Sequence, residues 1–335
     1  IISNGKEGVV GQNLFELDSI KDTEFEVIYR NALDGIPFYA DNILYKSPIV
    51  QEELFINLVV VPIFDQNSER VISVLTMFYD NTQKAIAEKT IQEDLKLAQN
   101  IQKKILVRDF ETFQYANIKL YFSPMMEVGG DLYDVYKLDD FHYRFFVADA
   151  TGHGIQSAMI TMLIKNEYDK FKKLEVAPNV ILMQLNTAFT SNYNNLNAFV
   201  TAFVLDLDIK NSSISFASTG HPEQYLITKD GIKSLRPKGP LIGVSNYITV
   251  ELGIEEIHEG DKVLLFTDGV YEETSKSKEI IGEERFLHDI VYVNRERSSV
   301  ELVDIIVDEI QSWRLGKDAD DDITIMCFDY KRPLM

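Results

Sequence analysis

Four acidic positions stand where an apolar run meets a turn. Asp149 ends the run Phe145-Phe146-Val147-Ala148 and is followed by Ala150-Thr151-Gly152-His153-Gly154. Asp268 ends Val263-Leu264-Leu265-Phe266-Thr267 and precedes Gly269, and Asp131 follows Gly129-Gly130. The run Asp320-Asp321-Asp322 opens the apolar stretch Ile323-Thr324-Ile325-Met326-Cys327-Phe328. A buried strand that delivers an acid to a turn puts it at the edge of a core, where it can meet a ligand. Carboxylates gathered at one centre repel each other unless a cation or protons neutralise them. Oxygen-only donors select Mg²⁺ or Mn²⁺ over zinc, which prefers histidine and cysteine. Glycines beside Asp131, Asp149 and Asp268 let the backbone turn tightly and let a carbonyl or substrate approach. Singly, each motif is weak: Thr-Asp-Gly after a strand is usually a turn, and Asp320 to Asp322 alone reads as a solvated loop. His153, between two glycines, reads equally as structural or as a proton donor. The order and intervals of the whole set carry the information.

The elements that must position these acids follow from periodicity. Strands are predicted over residues 118–122, 143–148, 200–207, 213–217, 225–227, 262–266 and 323–328, and helices over 155–171, 179–190 and 300–314. The first of these helices carries an apolar stripe at Ile155, Ala158, Met159, Met162 and Leu163. The last opens on Ser298-Ser299-Val300-Glu301, a capping-box pattern, with Val303, Ile306, Val307, Ile310 and Trp313 on its apolar face. Successive strands without intervening helices imply antiparallel sheets with helices packed outside, an α+β arrangement. Upstream, residues 57–64 and 71–79 read as strands joined by a hairpin turn at 65–69, after a short helix at 23–33. Residues 80–107 contain no glycine or proline, and Ala87, Ile91, Leu95, Ala98, Ile101 and Ile105 follow the period of a straight amphipathic helix.

Composition sets the outer limits. At 335 residues two domains are expected, and 45% hydrophobic with 26% charged residues is ordinary globular composition. A net charge of −20 argues against a nucleic-acid partner, whose phosphates need a basic surface. The single cysteine, Cys327, excludes an intramolecular disulfide and suits a reducing cytoplasm. No apolar stretch reaches the roughly 20 residues of a membrane span, and Ile1 opens no signal peptide. A cytoplasmic location is therefore expected.

Six ordered motifs carry a family resemblance. They are Val128-Gly129-Gly130-Asp131-Leu132-Tyr133-Asp134, Ala148-Asp149-Ala150-Thr151-Gly152-His153-Gly154 and Ser218-Thr219-Gly220-His221-Pro222. Gly239-Pro240-Leu241-Ile242-Gly243-Val244, Phe266-Thr267-Asp268-Gly269-Val270-Tyr271-Glu272 and Asp320-Asp321-Asp322-Ile323-Thr324 complete them. Together they resemble the PPM (type 2C) metal-dependent serine/threonine phosphatases, in the bacterial SpoIIE-like branch. The resemblance implies an antiparallel β-sandwich flanked by helices over residues 117–330, with a centre of two Mg²⁺ or Mn²⁺ ions at one end. By motif, Asp149 would bridge both ions, and the Ala150 carbonyl and Asp131 would serve one side. Asp268 and Asp321 would hold the other ion. It implies an activated water as nucleophile and, as substrate, a phosphoserine or phosphothreonine on a partner protein, an anti-sigma-factor antagonist in this branch. The turn at Ser218-Thr219-Gly220-His221-Pro222 reads as structural.

Residues 1–80 resemble the C-terminal two-thirds of a PAS sensor domain, with a GAF-like sensor as the rival, and lack its first two strands. All five histidines lie downstream, so none here ligates haem, and no cysteine is present for a flavin adduct. Residues 81–110 then read as a connector helix that pairs with its twin in a homodimer, against the plainer reading of a helix packed on its own domain. Two other functions compete with the phosphatase. One is a non-catalytic module in which metals brace a partner-binding surface. The other is a nucleotide cyclase, suggested by Gly129-Gly130-Asp131, although its nucleotide loop and βαββαβ order are not visible.

Overall fold

The structure is a computed structural model describing residues 10–17, 20–46, 53–66, 69–106, 115–152 and 154–332. Two compact units divide the chain, Ile1–Asp94 and Leu95–Met335. In the first, helix α1 (Glu24–Leu33) precedes β1 (Phe38–Lys46), β2 (Glu53–Phe64) and β3 (Val71–Asp80). The strands form an antiparallel sheet in the order β1-β2-β3. Tyr29 and Ala32 of α1 bury against Leu58 and Val60, because alternate residues of β2 share that face. The opposite face leaves Tyr39, Leu75, Met77 and Tyr79 exposed.

The division between the units falls within helix α2 (Thr82–Leu106). On its apolar stripe Ile91, Ile101 and Ile105 are exposed, and the buried residues of the helix are Gln102 and Leu106. The inner face of its last turns is held by hydrogen bonds as well as by apolar contact. The Gln102 side-chain amide donates to the Gly129 carbonyl (2.7 Å) and accepts from the Gly129 N–H (3.2 Å).

The second unit continues with β4 (Ala116–Ser123), β5 (Asp131–Lys137), β6 (His142–Ala150), α3 (Ile155–Phe171) and α4 (Pro178–Tyr193). Strands β7 (Val200–Asp208), β8 (Ser213–Thr219), β9 (Gln224–Thr228), β10 (Gly231–Leu235), β11 (Gly253–Glu256) and β12 (Lys262–Phe266) follow. Short helices α5 (Gly269–Glu272) and α6 (Glu283–Arg285), a π-helical stretch Phe286–Tyr292, α7 (Ser299–Arg314) and β13 (Ile323–Tyr330) complete it. One sheet runs β10-β9-β12-β13-β4 and the other β11-β8-β7-β6-β5, every pairing antiparallel.

The sheets stack face to face through side chains such as Phe145 and Phe328, whose rings lie 4.4 Å apart at 15°. Leu302, Val303, Ile306 and Ile310 of α7 cover the outer face of one sheet at Leu264, Ile325 and Cys327. Helices α3 and α4 cover the other sheet. Burial on both faces is why β6, β12 and β13 read as unbroken apolar runs rather than alternating ones. The capping box forms: Ser298 Oγ accepts from the Glu301 N–H, and Glu301 accepts from the Ser298 N–H.

Helix α3 corrects its predicted stripe. Ile155 and Met159 are exposed, at 54% and 66%, while Ser157, Thr161, Lys165 and Glu167 are buried. The helix turns polar residues inward because they have partners there. Thr161 Oγ1 donates to the Gly130 carbonyl (2.5 Å), and the Lys165 ammonium lies 3.8 Å from the Asp134 carboxylate. Beside it, Lys172 donates to Asp134 at 2.7 Å. Fully buried Arg144 binds Asp206 through two nitrogens, at 2.7 and 2.6 Å, and donates to the carbonyls of Lys172, Leu174 and Val176. Those bonds fix the loop from α3 to α4, and with it the helix that follows the Asp149 turn. Among the described residues no helix is long and apolar enough to cross a membrane.

Candidate functional site

Antiparallel pairing brings the acids to one end of the sandwich. Strand β6 ends at Asp149 and Ala150 where β5 begins, and Asp131 is the register partner of Asp149. In the facing sheet β12 ends just before Asp268, and β13 begins just after Asp321 and Asp322. All four sequence-predicted acids thus meet at one rim, two from each sheet.

Glycines make the approach possible. A Cβ on Gly130 would lie 2.8 Å from Ser157 Cβ and 3.2 Å from the Ala150 carbonyl oxygen. One on Gly269 would lie 2.0 Å from the Asp322 carbonyl oxygen, closer than real atoms pack. The Asp322 carboxylate is engaged with the backbone: it accepts from the N–H groups of Met125 (2.6 Å) and Gly130 (2.5 Å). It clamps the Gly129-Gly130 loop in place, and Gln102 grips the same loop at Gly129. Asp321 Oδ1 accepts from the Asp322 N–H at 2.8 Å.

Crowding of like charges dominates the electrostatics. Asp131 is 1% exposed, and its carboxyl is pushed well above the ordinary range by burial, then by Asp149 and Asp322. Hydrogen bonds from Thr324 and Thr267 partly offset that rise. Asp149 is pushed up to about 8 by burial, then by Asp268, Asp321, Asp322 and Glu272. Asp268 is raised by burial and then by Glu272. A site with this much unbalanced negative charge takes up protons or a cation. Its donors are carboxylate and carbonyl oxygens, which fit Mg²⁺ or Mn²⁺. Among the described residues, no three acidic, histidine or cysteine side chains form a ready-made metal cage. Asp320, by contrast, is committed to a surface cluster with Lys317 and Thr274, which pulls its carboxyl down to about 2.

Histidines divide clearly. His153 lies outside the described residues. His221 is buried between the sheets, its Nδ1 2.8 Å from Thr201 Oγ1 and its Nε2 3.0 Å from the Phe266 carbonyl oxygen. Thr201 is the register partner of Asp149 on β7, and Phe266 stands two residues before Asp268. Burial holds the imidazole neutral, with its pKa lowered to about 3. It therefore braces the two acid-bearing strand ends without adding charge.

Sequence reasoning left Gln102, Thr267, Glu272, Asp322 and Thr324 without roles, although four of them lie inside the quoted motifs. A signal existed for the threonines: each is a hydroxyl within two residues of an acid at the end of an otherwise apolar run.

Comparison with known proteins places the chain among relatives. Residues 139–331 match the family model Stage II sporulation protein E (SpoIIE). The chain is similar to phosphoserine phosphatase RsbP of Bacillus subtilis (strain 168), 26% identical over 244 residues that cover 72% of this chain and 58% of RsbP. It is also similar to phosphoserine phosphatase RsbU of the same organism, 27% identical over 187 residues covering 55% of each. The chain thus spans little more than half the length of either relative. Among solved structures it resembles the SiaA-PP2C domain of Pseudomonas aeruginosa, with TM-score 0.66 and 23% identity, covering 74% of this chain and 100% of that one. It also resembles the PP2C phosphatase domain with a regulatory-domain fragment of SpoIIE from Bacillus subtilis, with TM-score 0.55 and 14% identity, covering 92% and 88%. At these identities the structural likeness is one of fold.

Proposed function

The chain belongs to the SpoIIE family and has the PP2C fold, and from that premise we propose that it is a metal-dependent protein serine/threonine phosphatase. The observation that carries the reading is the convergence of Asp131, Asp149, Asp268 and Asp321 at one rim, where burial and neighbouring charges push the carboxyls of Asp131, Asp149 and Asp268 upward. In this reading Asp149 would bridge two ions, the Ala150 carbonyl and Asp131 would serve one, and Asp268 and Asp321 would hold the other. Bound there, Mg²⁺ or Mn²⁺ ions would supply Lewis acidity, acidifying a water and offsetting the charge of the phosphate oxygens. The chain's own residues prepare that site. Gly130, lacking a Cβ, leaves the Ala150 carbonyl approachable, Asp322 holds the glycine loop, and His221 braces the strand ends.

The substrate in this reading is a phosphoserine or phosphothreonine on a small partner protein, an anti-sigma-factor antagonist. Residues 1–80 act as a PAS-like sensor, and the connector helix carries its state to the phosphatase. Exposed Ile91, Ile101 and Ile105 on the stripe of α2 form the seam of a homodimer in this proposal. Sedimentation that finds a monomer at high concentration counts against that seam.

The activity is tested by Mn²⁺-dependent hydrolysis of para-nitrophenyl phosphate and of a phosphorylated partner. Asp149→Asn and Asp268→Asn each lower the rate by on the order of 10²–10⁴, several kcal/mol of lost transition-state stabilisation. Hydrolysis that survives both substitutions unchanged overturns the proposal.

A further inference from the structure

Asp131 is held from the opposite sheet. Thr267 Oγ1, at the tip of β12, donates to Asp131 Oδ2 at 2.8 Å, and Thr324 Oγ1, in β13, donates to the same oxygen at 2.6 Å. The direction of the first bond is set by a third. Thr267 Oγ1 accepts from the Thr324 N–H at 3.0 Å, so its single hydrogen is directed at the carboxylate. The Thr267 N–H in turn donates to the Thr324 carbonyl at 3.1 Å. Both hydroxyls are fully buried, at 0% exposure for each residue, so no water competes for them.

This arrangement is more specific than packing requires. A buried threonine in a strand satisfies its hydroxyl on any nearby carbonyl, and Thr219 does so on Ala202. Here two hydroxyls from two adjacent strands converge on one oxygen of one acid. Among the described residues no hydrogen bond reaches Asp131 Oδ1. We infer that Thr267 and Thr324 are positioning residues that occupy Oδ2 and aim Oδ1 of Asp131 as the single oxygen it offers to a cation. The inference rests on the reading of this rim as a metal site.

It has a structural consequence. Thr267 is bonded to Asp268 in the chain, and Thr324 stands three residues after Asp321, so the acid of one sheet is tied to the strands that carry the acids of the other. The two sides of the cation site then form as one unit, and loosening the tie weakens cation binding without touching a ligand. Hydrogen bonds that orient a metal-binding side chain typically account for about 10–100-fold in metal affinity.

The test is direct Mn²⁺ binding to the purified chain, with free Mn²⁺ measured by electron paramagnetic resonance at fixed pH, and melting temperatures in EDTA measured alongside. Thr324→Val keeps the shape and removes one donor, and Thr324→Ser keeps the hydroxyl. The expected result is a dissociation constant raised about 10–100-fold by the valine and restored close to wild type by the serine. Thr267→Val also removes the acceptor of the Thr324 N–H and weakens binding at least as much. Valine variants that bind Mn²⁺ as wild type does, whatever happens to their melting temperature, overturn the inference and leave the metal-site reading intact. A wild-type chain that binds no Mn²⁺ overturns both.

Discussion

Stability without metal should fall as pH rises from 6.5 to 8. The cause is Asp149, whose carboxyl is moved from 3.8 to about 8 by burial and by the charges of Asp268, Asp321, Asp322 and Glu272. A carboxyl raised in the folded state keeps its proton there while the unfolded chain has lost it. Its stabilising effect is complete below 3.8 and is lost as pH rises through 8. At about 1.4 kcal/mol per tenfold change in proton binding, the full cost of ionising Asp149 in the cation-free fold is on the order of 6 kcal/mol. His221 acts in the opposite sense at lower pH. Its folded pKa is about 3, so the unfolded chain gains a proton below 6.5 that the fold cannot take, and stability falls as pH drops. The two effects oppose each other between about 4 and 6.5, which makes 6.5 to 8 the window in which Asp149 acts without His221. Asp131, raised by the same kind of crowding, adds in the same direction. Over that window Asp149 contributes a loss of about 1.5 kcal/mol, or roughly 3–6 °C for a unit of this size. Urea titrations at several pH values in EDTA read it out. Saturating Mn²⁺ abolishes the slope because the cation takes the place of the proton, and Asp149→Asn flattens it while removing the response to Mn²⁺. A wild-type stability that is flat or rising from pH 6.5 to 8 in EDTA refutes the argument.

Further outcomes follow from packing. Gly269→Ala places a methyl 2.0 Å from the Asp322 carbonyl oxygen, so the β12–α5 turn must shift; about 1–3 kcal/mol is lost and Mn²⁺-dependent hydrolysis falls. Phe328→Ala opens a cavity opposite Phe145 and lowers the unfolding free energy by about 3–5 kcal/mol, measured by urea titration. Asp206→Ala leaves the buried Arg144 guanidinium without its carboxylate and costs about 3–5 kcal/mol, with a fall in melting temperature the direct readout. Asp322→Asn retains one acceptor but sets an amide against the N–H groups of Met125 and Gly130. It reduces Mn²⁺ affinity more than thermal stability, and equal affinity in the variant would argue against the clamp.

Much of the second unit was legible because its strands are buried on both faces and announce themselves as apolar runs. Residues 155–171 and the capping box at Ser298 also came through intact. Strand β5 was missed because Asp131 and Asp134 interrupt it. The sequence cannot show that Lys172 neutralises Asp134, or that two hydroxyls receive Asp131. The stripe expected on α3 failed for a related reason. Periodicity assumes that apolar residues face inward, whereas Ser157, Thr161 and Lys165 are drawn in by specific partners, and Ile155 and Met159 are left outside. Gln102, a polar residue beside the apolar stripe of the connector, carries the amide that holds the Gly129 peptide.

By itself, the sequence determined the kinds of donor and their order along the chain: acids at strand tips, glycines beside them, and apolar runs that must be buried. Those are local properties, set by side-chain chemistry and period. Only the tertiary structure decided which acids face one another, that Asp322 clamps a loop, and that two threonines from one sheet hold an acid of the other. Such contacts join residues as far apart in the chain as Asp131 and Thr324, and stacking the two sheets is what brings them within a hydrogen bond's length.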